Sequence, residues 1–275
     1  MRIGTAALLS AVVFLCAGCL EETGPTEPDT SVAPIAGVHS IAVLGTRFVV
    51  VLDSGVTLDQ QELVGAILTL DSRGRQYRLR IDATRADPGD IQLYELSAED
   101  GDSGQWHNLC TPDPAGERLA FPLQGIWTSD GRHLPSDTEF SITCTSGAEG
   151  KCVRFGYKPW EHLPDGSSLW DYHQACTRLL RADYCGDGHP HTRNGTPVDL
   201  YDRFRIQTDE PAPGMSFEAA WGPQGAVCVR RPRYADLAPL ATLAQQCPAL
   251  KGRLGDGCSD HAAALLYDKS FPQPP

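Results

Sequence analysis

SLWDYHQACTRLLRADYC occupies residues 168–185 and runs straight into GDGHPHTRNG, residues 186–195. The first run decides how the second half of the chain folds. Leu169, Tyr172, Cys176, Leu179 and Asp183 recur at helical spacing, with Ala175 and Leu180 beside them. Ser167 or Ser168 can cap the start, and Gly186 is placed as a left-handed stop. This predicts one main helix near 168–185. The second run is turn chemistry, with GDG and NG, yet it also concentrates Asp187, His189 and His191.

Two similar stretches flank the helix. FSITCTSGAEGKCVRFGY (140–157) and FEAAWGPQGAVCVRRPRY (217–234) each run from Phe through a G-x-x-G turn to Cys-Val-Arg and Tyr. Both read as β-hairpins. Upstream, TRFVVVLD, AILTLD, QYRLRID and IQLYELS are short β-branched and aromatic runs, separated by DSG, DSRG and ADPGD. In QYRLRI, Tyr77, Leu79 and Ile81 fall on one face and Arg78 and Arg80 on the other. The expected fold class is α+β: β-rich, with antiparallel sheets and hairpins, the one main helix, and a disulfide-stabilised C-terminal half.

The N-terminus gives an address. Met1-Arg2 precedes an apolar run, Ile3 to Leu15, of signal-peptide length. Cys16-Ala17-Gly18-Cys19 follows and resembles a bacterial lipoprotein signal, with Cys19 as the lipidated residue. It departs from that pattern at Cys16, where Leu is usual. Residues 20–37, rich in Pro, Glu, Thr and Gly, cannot build a core and read as a flexible tether. Leu20 after the cysteine implies outer-membrane sorting in a Gram-negative cell envelope. The expected organisation is signal 1–18, lipidated Cys19 and tether to 37, β-rich region 38–139, disulfide-rich domain 140–262 and tail 263–275.

Export changes the meaning of the cysteines. Ten are present; without Cys16 and Cys19 there remain Cys110, Cys144, Cys152, Cys176, Cys185, Cys228, Cys247 and Cys258. An even number in an oxidising compartment predicts four disulfides. Cys144 and Cys152 flank the first hairpin turn and are placed to face each other. Cys228 needs a partner elsewhere, and Cys110 is the candidate. In a continuous helix, Cys176 and Cys185 stand about 13.5 Å apart, whereas a bridge needs Cα atoms within about 7 Å. Either the helix breaks near Ala182, or each pairs with a distant partner. Cys247 and Cys258 are the candidates, and distant pairing is the favoured reading.

Net charge is −12, which gives no basic footprint for nucleic acid. Arg154, Arg230, Arg231 and Arg233 concentrate positive charge near the two hairpins, with Asp183 or Asp187 as expected structural partners. Asp187, His189 and His191 alternate, so an extended strand would put all three on one face. They are the candidate metal ligands, with zinc the possible ion. Asp183, Asp199 and Asp202 would support them or act as general base. Against this, Pro190 and the glycines favour an irregular loop of solvated histidines. Trp106, Trp127, Trp160, Trp170 and Trp221 read as core rather than as a sugar platform.

Residues 174–202 resemble the bacterial ADYC domain, named for the tetrapeptide found here at Ala182-Asp183-Tyr184-Cys185. KCVRFGYKPW before it and FEAAWGPQGAVCVRR after it share the resemblance, which covers roughly 140–260. It implies an exported protein, often a lipoprotein, with no established activity. The expected function is a non-enzymatic binding or structural module of the cell envelope, anchored by its lipid, with an envelope protein or glycan as partner and no cofactor. The alternatives are a metal-dependent hydrolase of envelope polymers using the Asp/His loop, and a carbohydrate-binding module.

Overall fold

The computed structural model describes residues 37–72, 74–128, 130–258 and 263–272. The signal sequence, Cys19 and the tether up to residue 36 lie outside the described residues. Among those described, no helix is long and apolar enough to cross a membrane.

Among the described residues a hairpin comes first, β1 (Val38–Leu44) with β2 (Arg47–Leu52). It leads into a six-stranded antiparallel sheet built from β3 (Ile67–Ser72), β4 (Arg75–Asp87), β5 (Ile91–Glu99), β6 (Trp106–Asn108), β7 (Ala120–Gln124) and β10 (Phe140–Cys144). Its order is β10-β7-β5-β4-β3, with β6 on β5. The two-residue strands β8 (Ile126–Trp127) and β9 (His133–Leu134) pair between β7 and β10. The alternation read in β4 holds: Leu79 and Ile81 are buried, while Arg78 and Arg80 face outward. Tyr77 shares the inner face but is 40% exposed. Phe48, Leu70, Leu93, Tyr94, Phe121 and Leu123 complete this core. Each such apolar side chain contributes roughly 1.5–3 kcal/mol by leaving water.

The C-terminal half packs α2 (Leu169–Arg181) on a second antiparallel sheet of order β11-β14-β12-β13. Its strands are β11 (Val198–Asp202), β12 (Ser216–Gly222), β13 (Gly225–Val229) and β14 (Leu266–Ser270). Two short helices, α1 (Ala148–Arg154) and α3 (Leu240–Gln246), lie before and after. Tyr172, Ala175, Cys176 and Leu179 of α2 meet Trp221, Val229 and Leu266. The architecture is therefore β-rich α+β, as the sequence implies.

Several boundaries move. Residues 140–157 are not a hairpin: β10 ends at Cys144 and α1 follows at once. Residues 217–234 do form the hairpin β12–β13. Helix α2 stops at Arg181 rather than near 185, because Ala182 takes the left-handed conformation (φ 49°) and its N–H closes on Leu179 O. The start is as expected, Ser168 Oγ accepting from Trp170 N at 3.1 Å. Residues 266–270, expected within a tail, are a strand between β11 and β12. β10, which starts at Phe140, pairs with β7 in the six-stranded sheet.

All eight cysteines from 110 onward are paired, with Cα–Cα distances of 4.9 to 5.9 Å, within the range a disulfide spans. The pairs are Cys110–Cys144, Cys152–Cys176, Cys185–Cys247 and Cys228–Cys258. Cys144 thus binds Cys110 rather than Cys152, and Cys228 binds Cys258 rather than Cys110. Cys176, within α2, and Cys185, four residues past its end, do go to separate distant partners. Cys247 takes Cys185, while Cys176 turns to Cys152 on α1.

Candidate functional site

The tetrapeptide 182–185 sits where α2 ends against the second sheet, and each of its side chains has a structural task. Ala182, fully buried, makes the left-handed turn. This conformation costs an L-residue roughly 1–2 kcal/mol. Asp183 pins the loop that follows, accepting from Asp187 N at 3.1 Å and Gly188 N at 2.9 Å, and pairing with the Arg178 guanidinium. Cys185 is tied to Cys247. Gly186 follows because a Cβ there would lie 1.8 Å from Gln224 O in the β12–β13 turn.

Tyr184 leads into a buried ionic knot. Its ring stacks on Trp221 at 5.3 Å, and its hydroxyl donates to Glu218 Oε1 at 2.9 Å while accepting from Arg233 N at 2.7 Å. The Arg233 guanidinium donates to Glu218 Oε2 and Asp268 Oδ2, each at 3.0 Å. It also reaches Leu179 O at 2.9 Å and Leu180 O at 3.2 Å. A buried cation thus caps the carbonyl end of α2, where the helix dipole favours positive charge. Asp268 accepts further from Trp221 Nε1 at 2.8 Å. Burial and the neighbouring Glu218 carboxylate push the Asp268 carboxyl well above the usual range, against the pull of Arg233 and Trp221. Burial likewise raises the Tyr184 phenol. Arg233, Glu218 and Asp268 are at most 1% exposed, so the knot offers no surface to a substrate.

The candidate metal ligands are only partly brought together. Asp187 Oδ1 accepts from His189 N at 3.0 Å and lies 3.1 Å from His189 Nδ1, both side chains being exposed. His191 turns inward instead: its Nδ1 meets Ala182 O at 3.1 Å and its N–H donates to Arg181 O. Among the described residues, no three His, Cys, Asp or Glu side chains gather as a ligand set. Asp183 is spent on Arg178, and Asp202 accepts from the Tyr157 hydroxyl at 2.8 Å. Asp199 lies on β11, with Oδ1 accepting from Glu210 N. Arg154 pairs with Asp87, Arg230 with Asp256, and Arg231 holds Ser216 and Ser270.

A second cluster escaped sequence reading. Trp127 and His133, cross-strand partners on β8 and β9, stack at 4.3 Å. Trp170 covers the other side of His133 at 3.7 Å. The His173 ring stands edge-on, 5.4 Å from Trp127 and 5.9 Å from His133. His133 Nε2 faces Gln124 O at 3.0 Å and His173 Nε2 faces Glu149 O at 3.1 Å. A carbonyl only accepts, so each Nε2 carries the proton and each Nδ1 keeps a lone pair. Burial pushes the His133 imidazole down to about 4; burial and the His133 ring push His173 down to about 3. Both Nδ1 atoms and Trp127 Nε1 are buried without a hydrogen-bond partner. Beside the stack lies a cleft of about 250 Å³, lined by Arg132, His133, Trp170, Asp171, Gln174 and Gln224 among others. Of the five tryptophans, only Trp221 is fully buried; the other four are half-buried.

Fold and knot together define a disulfide-braced α+β module whose signature tetrapeptide is a structural joint. The chain belongs to the ADYC domain family, whose sequence model matches residues 60–235. That match takes in more than half of the 275 residues. It begins within the β-rich segment, well before residue 140. No curated protein and no solved structure matches the chain.

Proposed function

We propose that the protein is an exported cell-envelope lipoprotein, anchored through Cys19, whose ADYC module is a non-enzymatic binding or structural unit. The observation that carries this reading is the pairing of all eight cysteines from 110 to 258 in four disulfides. Such a framework belongs to an oxidising compartment. The leader supports the same address, with its apolar run 3–15 and Cys16-Ala17-Gly18-Cys19. An acyl chain there, followed by an 18-residue tether, leaves the folded part free to meet an envelope partner. The ADYC residues support a binding or structural role rather than a catalytic one, because each is engaged in holding helix to sheet.

The test is metabolic labelling of the full chain with an alkyne fatty acid in an exporting Gram-negative host. The expected result is label in the outer-membrane fraction, with Cys19→Ala unlabelled and released from membranes. An unlabelled wild type, or a Cys19→Ala protein that stays membrane-bound, would overturn the anchor. Free thiols among the eight cysteines of the exported protein would overturn the compartment.

One observation favours a carbohydrate as the partner. The cleft beside the Trp127–His133–Trp170 stack combines an aromatic side chain with Arg132, Asp171 and Gln174, the mixture of ring face and polar groups that suits a sugar. Glycan-array binding lost on Trp170→Ala is the expected result, and an empty array would count against this reading.

A further inference from the structure

We propose that His133 and His173 are the two protein ligands of a buried site for one copper(I) ion. The inference stands apart from the envelope reading and uses a different set of residues from the Asp187–His191 loop.

The first argument is the state of the two rings. Each is at most 5% exposed, and each has its Nε2–H committed to a backbone carbonyl, of Gln124 and of Glu149. That arrangement fixes tautomer and orientation and leaves Nδ1 as the coordinating atom, as in protein metal centres where the other ring nitrogen is held by a carbonyl. Both Nδ1 atoms are buried and unpartnered. A buried acceptor left without a partner is destabilising, so two in adjacent rings call for an occupant.

The second argument is spacing. With metal–nitrogen bonds of about 2.0 Å, imidazoles facing one ion from opposite sides put their ring centres roughly 6 Å apart. A tetrahedral angle at the metal would draw the centres to roughly 5 Å. The observed separation is 5.9 Å. This lies between the two values and corresponds to a wide nitrogen–metal–nitrogen angle of roughly 140°, which two-coordinate copper(I) accepts and which is wider than the tetrahedral angle of zinc sites. The surroundings agree. No third His, Cys, Asp or Glu joins the two rings in a ligand set among the described residues. The indole of Trp127 lies against both imidazoles, which places a fluorophore beside the site. The site has one wall in common with the surface cleft, because His133 lines both.

The test is competition for copper(I), kept reduced with ascorbate, between the coloured bicinchoninate complex and the exported full chain with its disulfides formed. The expected result is withdrawal of one copper(I) per chain, accompanied by quenching of tryptophan fluorescence. His133→Ala and His173→Gln should each weaken binding by more than the roughly 100-fold that loss of an outer-shell partner costs a metal site. His189→Ala, at an exposed histidine, should leave it unchanged. Far-UV circular dichroism separates loss of a ligand from loss of the fold in the His173 variant. No copper withdrawn by the wild type would overturn the proposal and leave the two Nδ1 atoms to an ordinary buried water. An equivalent that survives His133→Ala, or that depends on His189, would overturn it equally.

Discussion

The two halves of this molecule are held together by different physics. In the six-stranded sheet, apolar side chains alternate with polar ones, and the charged groups lie outside. Arg78 pairs with Glu99 across the strands at 2.8 Å while nearly half exposed. In the C-terminal half the charges are inside. Arg178 with Asp183, and Arg233 with Glu218 and Asp268, are almost fully buried. Three of the four disulfides lie entirely within residues 152–258. A sheet with a continuous core needs little else. A half that joins one long helix to a small sheet, with loops between, fixes its joints with bonds that tolerate only one arrangement.

The largest expected effect falls on the knot. Arg233→Leu would leave two carboxylates buried side by side and uncap the carbonyls of Leu179 and Leu180. Removing one partner of a buried ion pair typically costs about 3–5 kcal/mol. The expected outcome is a loss of that size in urea unfolding of the oxidised protein. A cost below about 1 kcal/mol would mean that buried charge does not distinguish the two halves.

Next comes the longest covalent tie. Cys185 and Cys247 are 62 residues apart, and a loop of that length predicts about 4 kcal/mol of stabilisation from the unfolded chain's lost freedom. Measured values run lower, typically 2–4 kcal/mol. The Cys185→Ala, Cys247→Ala double variant should lose that amount by the same assay. The tetrapeptide should then release the β12–β13 turn, visible as faster amide exchange at Ala226, whose N–H donates to Tyr184 O.

A pH series sharpens the comparison where the halves meet. His133 is held neutral, with its pKa lowered from 6.5 to about 4. The unfolded chain therefore binds a proton that the folded one refuses. Stability from this group is whole above about pH 6.5 and declines as pH falls toward 4, by roughly 3 kcal/mol in the metal-free protein. His173, lowered to about 3, extends the decline. Unfolding curves between pH 7 and 4 should show that slope, and His133→Phe should flatten it. An unchanged slope in the variant would remove His133 as its source.

Much of this was legible in the sequence, and the failures have physical causes. Period-two alternation in Tyr77–Ile81 and helical spacing in Leu169–Leu179 depend on neighbours in the chain, so they can be read locally. The even cysteine number reports covalent closure, but pairing depends on which elements meet in space. Gly147 and Gly150 read as a hairpin turn between Cys144 and Cys152. They serve a helix instead: Gly147 is the N-cap of α1, and a Cβ on Gly150 would lie 2.3 Å from Cys144 O. The helix start is pressed against the strand end, a contact that only the assembled structure displays. Asp268 gave no signal at all, standing in a stretch that resembled a tail. His133 and His173 lie 40 residues apart and meet only because α2 packs beside β9. By contrast, His189 and His191 drew attention because they stand two residues apart in sequence, although His189 is exposed and His191 turns inward.

Two smaller substitutions complete the series. Tyr184→Phe removes one hydroxyl that serves Glu218 and the Arg233 N–H at once. With the ring stack on Trp221 kept, the expected loss is about 1–3 kcal/mol, the cost of leaving buried polar groups unpartnered. Arg78→Ala is the matched case in the other half. It deletes an ion pair with Glu99 and a cation–π contact with Trp106 at 5.5 Å. Solvent screens both, so unfolding free energy should fall by less than about 1 kcal/mol, and less still in high salt. The ratio between Arg233→Leu and Arg78→Ala is the sharpest form of the comparison. Arg233 holds two buried carboxylates and two helix carbonyls, whereas Arg78 holds one partly exposed carboxylate and an indole face, so the ratio weighs a buried network against a solvent-screened contact. Equal costs would show that the sheet depends on its surface charges as much as the helix–sheet joint depends on its buried ones.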